Sequence, residues 1–140
     1  MRSWLFAFAC VACSGNSNTG TGLGGVHDVE LTAGSNQCGA DYAPFASSAR
    51  TISINGSGVV VSGSGTMIPA ADATDVTSDG SDISFSVQWQ IGMGGESGRT
   101  TGHETYSLSG NATQLSGSAT GTYEIEAFPA CTLALNVTPT

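Results

Sequence analysis

The stretch DISFSVQWQI, residues 82–91, alternates apolar Ile83, Phe85, Val87, Trp89 and Ile91 with polar Ser84, Ser86, Gln88 and Gln90. A period of two sends successive side chains to opposite faces of an extended chain. The segment therefore reads as a β-strand with one buried and one wet face. Working outward, the same alternation marks strands at 26–33, 50–55, 58–68, 73–78, 100–109, 114–125 and 131–137. Asn55-Gly56, Asp79-Gly80 and the SGNAT run at 109–113 fall between strands and supply turn residues that tolerate positive φ. Helix is expected only as one short turn within DYAPFASSAR, residues 41–50.

Composition agrees with that pattern. A chain of 140 residues suits one domain, and 20 glycines with only 10% charged residues suit strands and turns rather than helices. The expected fold is all-β: a small up-and-down antiparallel β-barrel of about eight strands, whose closure hides strand edges that would otherwise template aggregation. An open β-sandwich is the alternative. In an eight-strand meander the first strand ends, and the last begins, at the same rim. Cys38 follows the first run and Cys131 opens the last, so closure predicts a Cys38–Cys131 disulfide across the seam. A sandwich can also bring this pair together.

The N-terminus has a different character. Met1-Arg2-Ser3 is a short basic segment, Trp4 to Ala12 is apolar, and Cys13 follows the small Ala12, which is the layout of a secretory leader. An apolar helix of this length rises only about 14 Å, roughly half of a bilayer's hydrocarbon thickness. The leader resembles the lipobox of bacterial lipoproteins, with Cys10 standing three positions before the cysteine where that motif usually has Leu. The resemblance implies lipidation of Cys13, a signal peptide over 1–12, and an acyl anchor in the cell envelope. Ser14 after the cysteine implies the outer membrane or cell surface. Cys10 is a competing processing site, and an ordinary leader releasing a periplasmic or secreted soluble protein is the alternative. SGNSNTGTGLGG, residues 14–25, has too little apolar surface to fold and reads as a tether behind Cys13. This leaves 26–140 as a single β domain.

Charge excludes several functions. The chain has no lysine, and Arg2, Arg50 and Arg99 stand against eleven Asp and Glu. Nucleic-acid binding, which needs clustered cations, is not expected, and neither a P-loop nor a Schiff-base mechanism is available. His103-Glu104 lacks the second histidine of HExxH, because residue 107 is Ser, and no serine lies in G-x-S-x-G. Gly20, Gly22 and Gly25 fit G-x-G-x-x-G, but without a preceding strand they mark no dinucleotide site. Asp72, Asp75, Asp79 and Asp82 supply hard oxygen donors suited to Ca²⁺ and form the one metal candidate, without EF-hand spacing. No other cofactor is expected.

At the level of strand count and alternation, residues 26–137 resemble lipocalin-like and avidin-like small barrels, and SVQWQ at 86–90 is similar to an avidin-type strand. GGVHDVELTAG, residues 24–34, has no lipocalin Gly-x-Trp, and Trp89 alone cannot build an avidin-type aromatic cage, so no family ligand residue is carried over. One face of the seventh run, 114–125, carries Leu115, Gly117, Ala119, Gly121, Tyr123 and Ile125; one face of the third, 58–68, carries Val59, Val61, Gly63, Gly65 and Met67. Small residues in such rows either make room for large neighbours or leave a cavity. Trp89, Phe85 and Tyr123 accordingly either fill the interior or line a site for a small apolar ligand. The expectation is a lipid-anchored, non-catalytic binding or structural module, its partners the membrane and an apolar ligand or envelope protein. The alternatives are a small hydrolase using His103, and an inhibitor of secreted proteases offering Arg99 from the loop GMGGESGRTTG, residues 92–102.

Overall fold

The computed structural model describes residues 22–63, 68–92, 99–126 and 128–140. The leader, the lipidation candidate Cys13 and most of the tether lie outside the described residues, as do Gly65, Met67 and the centre of the 92–102 loop. Nine strands are described: β1 (Gly25–Ala33), β2 (Ser47–Asn55), β3 (Gly58–Gly63), β4 (Ala71–Asp72), β5 (Thr74–Asp79), β6 (Asp82–Ile91), β7 (Thr100–Gly110), β8 (Leu115–Ile125) and β9 (Cys131–Pro139). They form one sheet in the order β4-β3-β2-β1-β9-β8-β7-β6-β5, antiparallel at every pairing.

The first and last strands pair, from Leu135 opposite Ala33 to Pro139 opposite Val29. The two edge strands, β4 and β5, are halves of one segment interrupted at Ala73. Ala71 and Asp72 pair with β3, whereas Thr74 to Asp79 pair with β6. Ala73 N–H donates to Val59 O at 2.8 Å, which carries the β3 contact to the break. The segment thus hands its hydrogen bonds from one neighbour to the other, and the sheet becomes a nearly closed barrel of eight chain segments. A register shift lies between Thr74 and Thr77, and Asp75 adopts φ 55°, the signature of a local bulge. Such a bulge lets a strand change direction where a barrel turns its corner.

Two of the expected turns differ in detail. Asn55 pairs with Gly58 and Asp79 with Asp82, so both end strands, and the two-residue loops are Gly56-Ser57 and Gly80-Ser81. Gly56 and Gly80 have φ of 65° and 64°. Positive φ at the first loop position alone is the II′ pattern, which matches strand twist and suits Gly rather than Asn or Asp there.

Alternation decides which side chains go inside. β6 buries Ile83, Phe85, Val87 and Trp89, β1 buries His27, Val29 and Leu31, and β9 buries Leu133, Leu135 and Val137. Between β1 and β2 lie a 3-10 turn (Ala40–Tyr42) and the one-turn helix α1 (Ala43–Ala46), in the place expected for a helical turn. Tyr42 and Phe45 are buried there, and the Tyr42 hydroxyl donates to Pro129 O. Cys38 and Cys131 form the predicted disulfide at the same rim, with Cα atoms 5.9 Å apart. At the opposite end Leu23 is fully buried, and its carbonyl accepts a 2.7 Å hydrogen bond from His27 Nε2.

Candidate functional site in the barrel interior

The barrel interior contains a charged cluster. Arg50 on β2 and Glu104 on β7 are both fully buried, although β1, β9 and β8 separate their strands in the sheet. Arg50 shares the inward phase of Ile52 and Ile54, and Glu104 that of Tyr106 and Leu108, so strand periodicity forces both charges into the core. They meet across the lumen: Arg50 Nη2 donates to Glu104 Oε2 at 2.7 Å and Nε to Oε1 at 3.5 Å. The Tyr106 hydroxyl donates to Oε1 and the Tyr123 hydroxyl to Oε2, each at 2.7 Å. Each carboxylate oxygen therefore receives one phenol and one guanidinium donor. Arg50 Nη1 donates in addition to Ser48 Oγ at 2.7 Å and to Ala49 O at 3.1 Å. Removing two charges from water costs several kcal/mol per ion, and only this degree of hydrogen bonding offsets it.

The cluster fixes its own protonation. Burial pushes the Glu104 carboxyl up, but the Arg50 charge, its hydrogen bonds and the two phenols outweigh burial and hold it below its ordinary range. Burial likewise pushes Arg50 down, and the facing carboxylate reverses this, leaving its pKa raised. For Tyr106 and Tyr123, burial and the adjacent carboxylate act together and raise both phenols. At neutral pH the cluster is a guanidinium, a carboxylate and two neutral phenols that donate to it, with no group poised to exchange a proton.

Two glycines make room for the aromatic side chains. A Cβ at Gly121, the register partner of Glu104 on β8, would lie 2.2 Å from the Tyr123 hydroxyl. A Cβ at Gly102, which pairs with both Trp89 and Tyr123, would lie 2.2 Å from the indole. Space at these small residues is filled by large neighbours. Phe45 stacks on Tyr123 at 4.5 Å and lies 5.9 Å from Trp89, and Trp89 lies 6.0 Å from Tyr123. Phe85, deeper along β6, stacks on Tyr106 at 5.0 Å. The three candidate cavity residues are thus buried in the core, with Trp89 and Tyr123 in one aromatic group and Phe85 in another. Trp89 Nε1 is buried without a hydrogen-bond partner.

The other sequence candidates are dispersed. His103 and Glu104 are adjacent in sequence, so they project to opposite faces: His103 is exposed on the outer wall and Glu104 is inside. His27 is buried at the far end, its Nδ1 unpartnered. Among the described residues no three His, Cys, Asp or Glu side chains come together to hold a metal ion. Asp79 and Asp82 face each other across the Gly80-Ser81 turn and border an open outer cleft of about 470 Å³, while Asp72 pairs with Val60 on the other side of the Ala73 break. Arg99 is exposed at the rim, where its carbonyl accepts from Glu126 N–H at 2.9 Å; the adjoining residues 93–98 lie outside the described residues.

Sequence reasoning missed Arg50, Glu104, Tyr106 and Phe45 as members of the site. The phase of two strands carried the signal, since each places one charge in an otherwise apolar inward row and the two charges are opposite. No protein-family model, curated protein or solved structure matches this chain.

Proposed function

We propose that this chain is an exported lipoprotein of the bacterial cell envelope, anchored through acylated Cys13, whose barrel is a non-catalytic module acting through its outer wall and rims. The observation that carries this reading is the interior: among the described residues the inward faces are filled by the chain's own side chains, and the charged pair among them, Arg50 and Glu104, is fully hydrogen-bonded. An enzyme or a carrier of apolar ligands needs reactive groups or space in a cleft. Here Arg50, Glu104, Tyr106 and Tyr123 are spent on each other, and the outer walls present mostly Ser, Thr, Asn, Gln and acidic side chains. Phe128 and Val26 are the exposed large apolar side chains among the described residues. The leader and tether sequences support the anchor, because a basic start and an apolar run end at Cys13 and the Ser/Gly/Asn-rich run behind it is poor in apolar side chains.

Two measurements test the proposal. Intact mass of the membrane-extracted protein is expected to show a chain beginning at Cys13 with acyl additions, and an unmodified start elsewhere overturns the anchor. Titration of the native protein with an environment-sensitive fluorescent fatty acid is expected to give no saturable binding; saturable binding abolished by Trp89→Ala overturns the filled interior. Exposure of Arg99 at the rim favours protease inhibition as a second reading. It predicts inhibition of a trypsin-like protease that Arg99→Ala removes.

A further inference from the structure

We infer that the barrel core holds a built carboxylate receptor, made of Arg50, Tyr106 and Tyr123, and that the chain fills it with its own Glu104. Four donors converge on this one carboxylate: Arg50 Nη2 and Nε at 2.7 and 3.5 Å and the two phenols at 2.7 Å each. Each of these donors also has a contact other than Glu104 that holds it. Arg50 is held by Ser48 Oγ and Ala49 O, and the Tyr106 ring by stacking on Phe85. The Tyr123 ring is held by stacking on Phe45 at 4.5 Å, with space for its hydroxyl over Gly121. A receptor whose parts are braced from outside keeps its shape when its ligand is removed, which is the condition for rebinding an external one. The ligand class is a small monocarboxylate. Planar bidentate contact with a guanidinium selects a carboxylate over a spherical anion such as chloride.

Shortening Glu104 to Ala deletes two carbons and two oxygens, the heavy atoms of acetate. In the full-length chain, Glu104→Ala is expected to lose thermal stability and to regain part of it after refolding in sodium acetate. The regain saturates with concentration, is smaller with formate, is absent with butyrate, which overfills the space, and is absent with sodium chloride at matched ionic strength. The isosteric Glu104→Gln leaves no space and is expected to show no acetate response, and Arg50→Met combined with Glu104→Ala is expected to lose it. Equal shifts in acetate and chloride, an acetate response in Glu104→Gln equal to that of Glu104→Ala, or butyrate performing as well as acetate would overturn the inference. If Glu104→Ala does not fold in plain buffer, the yield of refolding from denaturant is the readout. Recovery in acetate but not in chloride supports the receptor, and no recovery in either overturns it.

Discussion

Glu104 is the residue on which the interior depends. Replacing it with Gln keeps the volume but leaves Arg50 buried without a counter-charge, and breaking a buried pair from one side costs about 3 to 5 kcal/mol. Chemical denaturation of Glu104→Gln is expected to show a loss of that order. The cluster also sets a pH window. Because the Glu104 pKa is lowered by folding, its contribution is full above the unfolded carboxylate value of about 4.3 and is lost as pH falls through the lower folded value. The two phenols have raised folded pKa values, so their contribution is full below the unfolded tyrosine value of about 10 and declines as pH rises above it. Stability measured against pH is therefore expected to show a plateau between about pH 5 and 9 with losses on both sides. Glu104→Gln is expected to flatten the acid limb. An acid limb unchanged in that variant would assign it to the surface carboxylates instead.

At the scale of the element, two kinds of glycine have different roles. Gly80 starts the β5–β6 turn with φ 64°, and nothing lies within 4 Å of a Cβ built there. Gly80→Ala therefore meets only backbone strain and is expected to cost about 1 kcal/mol. Gly102 has ordinary extended backbone, but a Cβ would lie 2.2 Å from the Trp89 indole. Gly102→Ala must move a buried ring, which costs about 1 to 3 kcal/mol, and is expected to shift Trp89 fluorescence as well as the denaturation midpoint. Sequence alternation located the strands but could not distinguish these two glycines, since one is decided by a dihedral angle and the other by a neighbour on the next strand. The same limit hid the β4–β5 break. The run 73–78 was legible as a strand, but the transfer of its hydrogen bonds from β3 to β6 depends on where both partners stand around the barrel.

For the whole molecule, closure rests on the β1–β9 pairing and the disulfide beside it. Cys38 and Cys131 are 93 residues apart in sequence, so their link restrains nearly the whole domain in the unfolded state. In the chain-entropy model a loop of this length contributes about 4 to 5 kcal/mol. Replacing both cysteines with Ala is expected to lower stability by up to that amount. Hydrogen exchange is expected to quicken first at the β1–β9 seam, where the covalent tie is lost. Exchange that quickens uniformly would mean that the disulfide acts on the unfolded chain alone, without a local effect on the seam.

The sequence by itself determined the all-β class, the approximate strands and the pairing of Cys38 with Cys131. These follow from period-two alternation, turn composition and the up-down order of a meander, all of which are local or combinatorial. Tertiary structure alone decided what the inward rows contain. Arg50 and Glu104 lie 54 residues apart and on strands that are not neighbours in the sheet. Their contact exists only because the sheet curls until opposite walls face each other, and the depth at which they meet depends on strand tilt and stagger. Phase assigned each of them to the inside; only closure of the barrel made them partners.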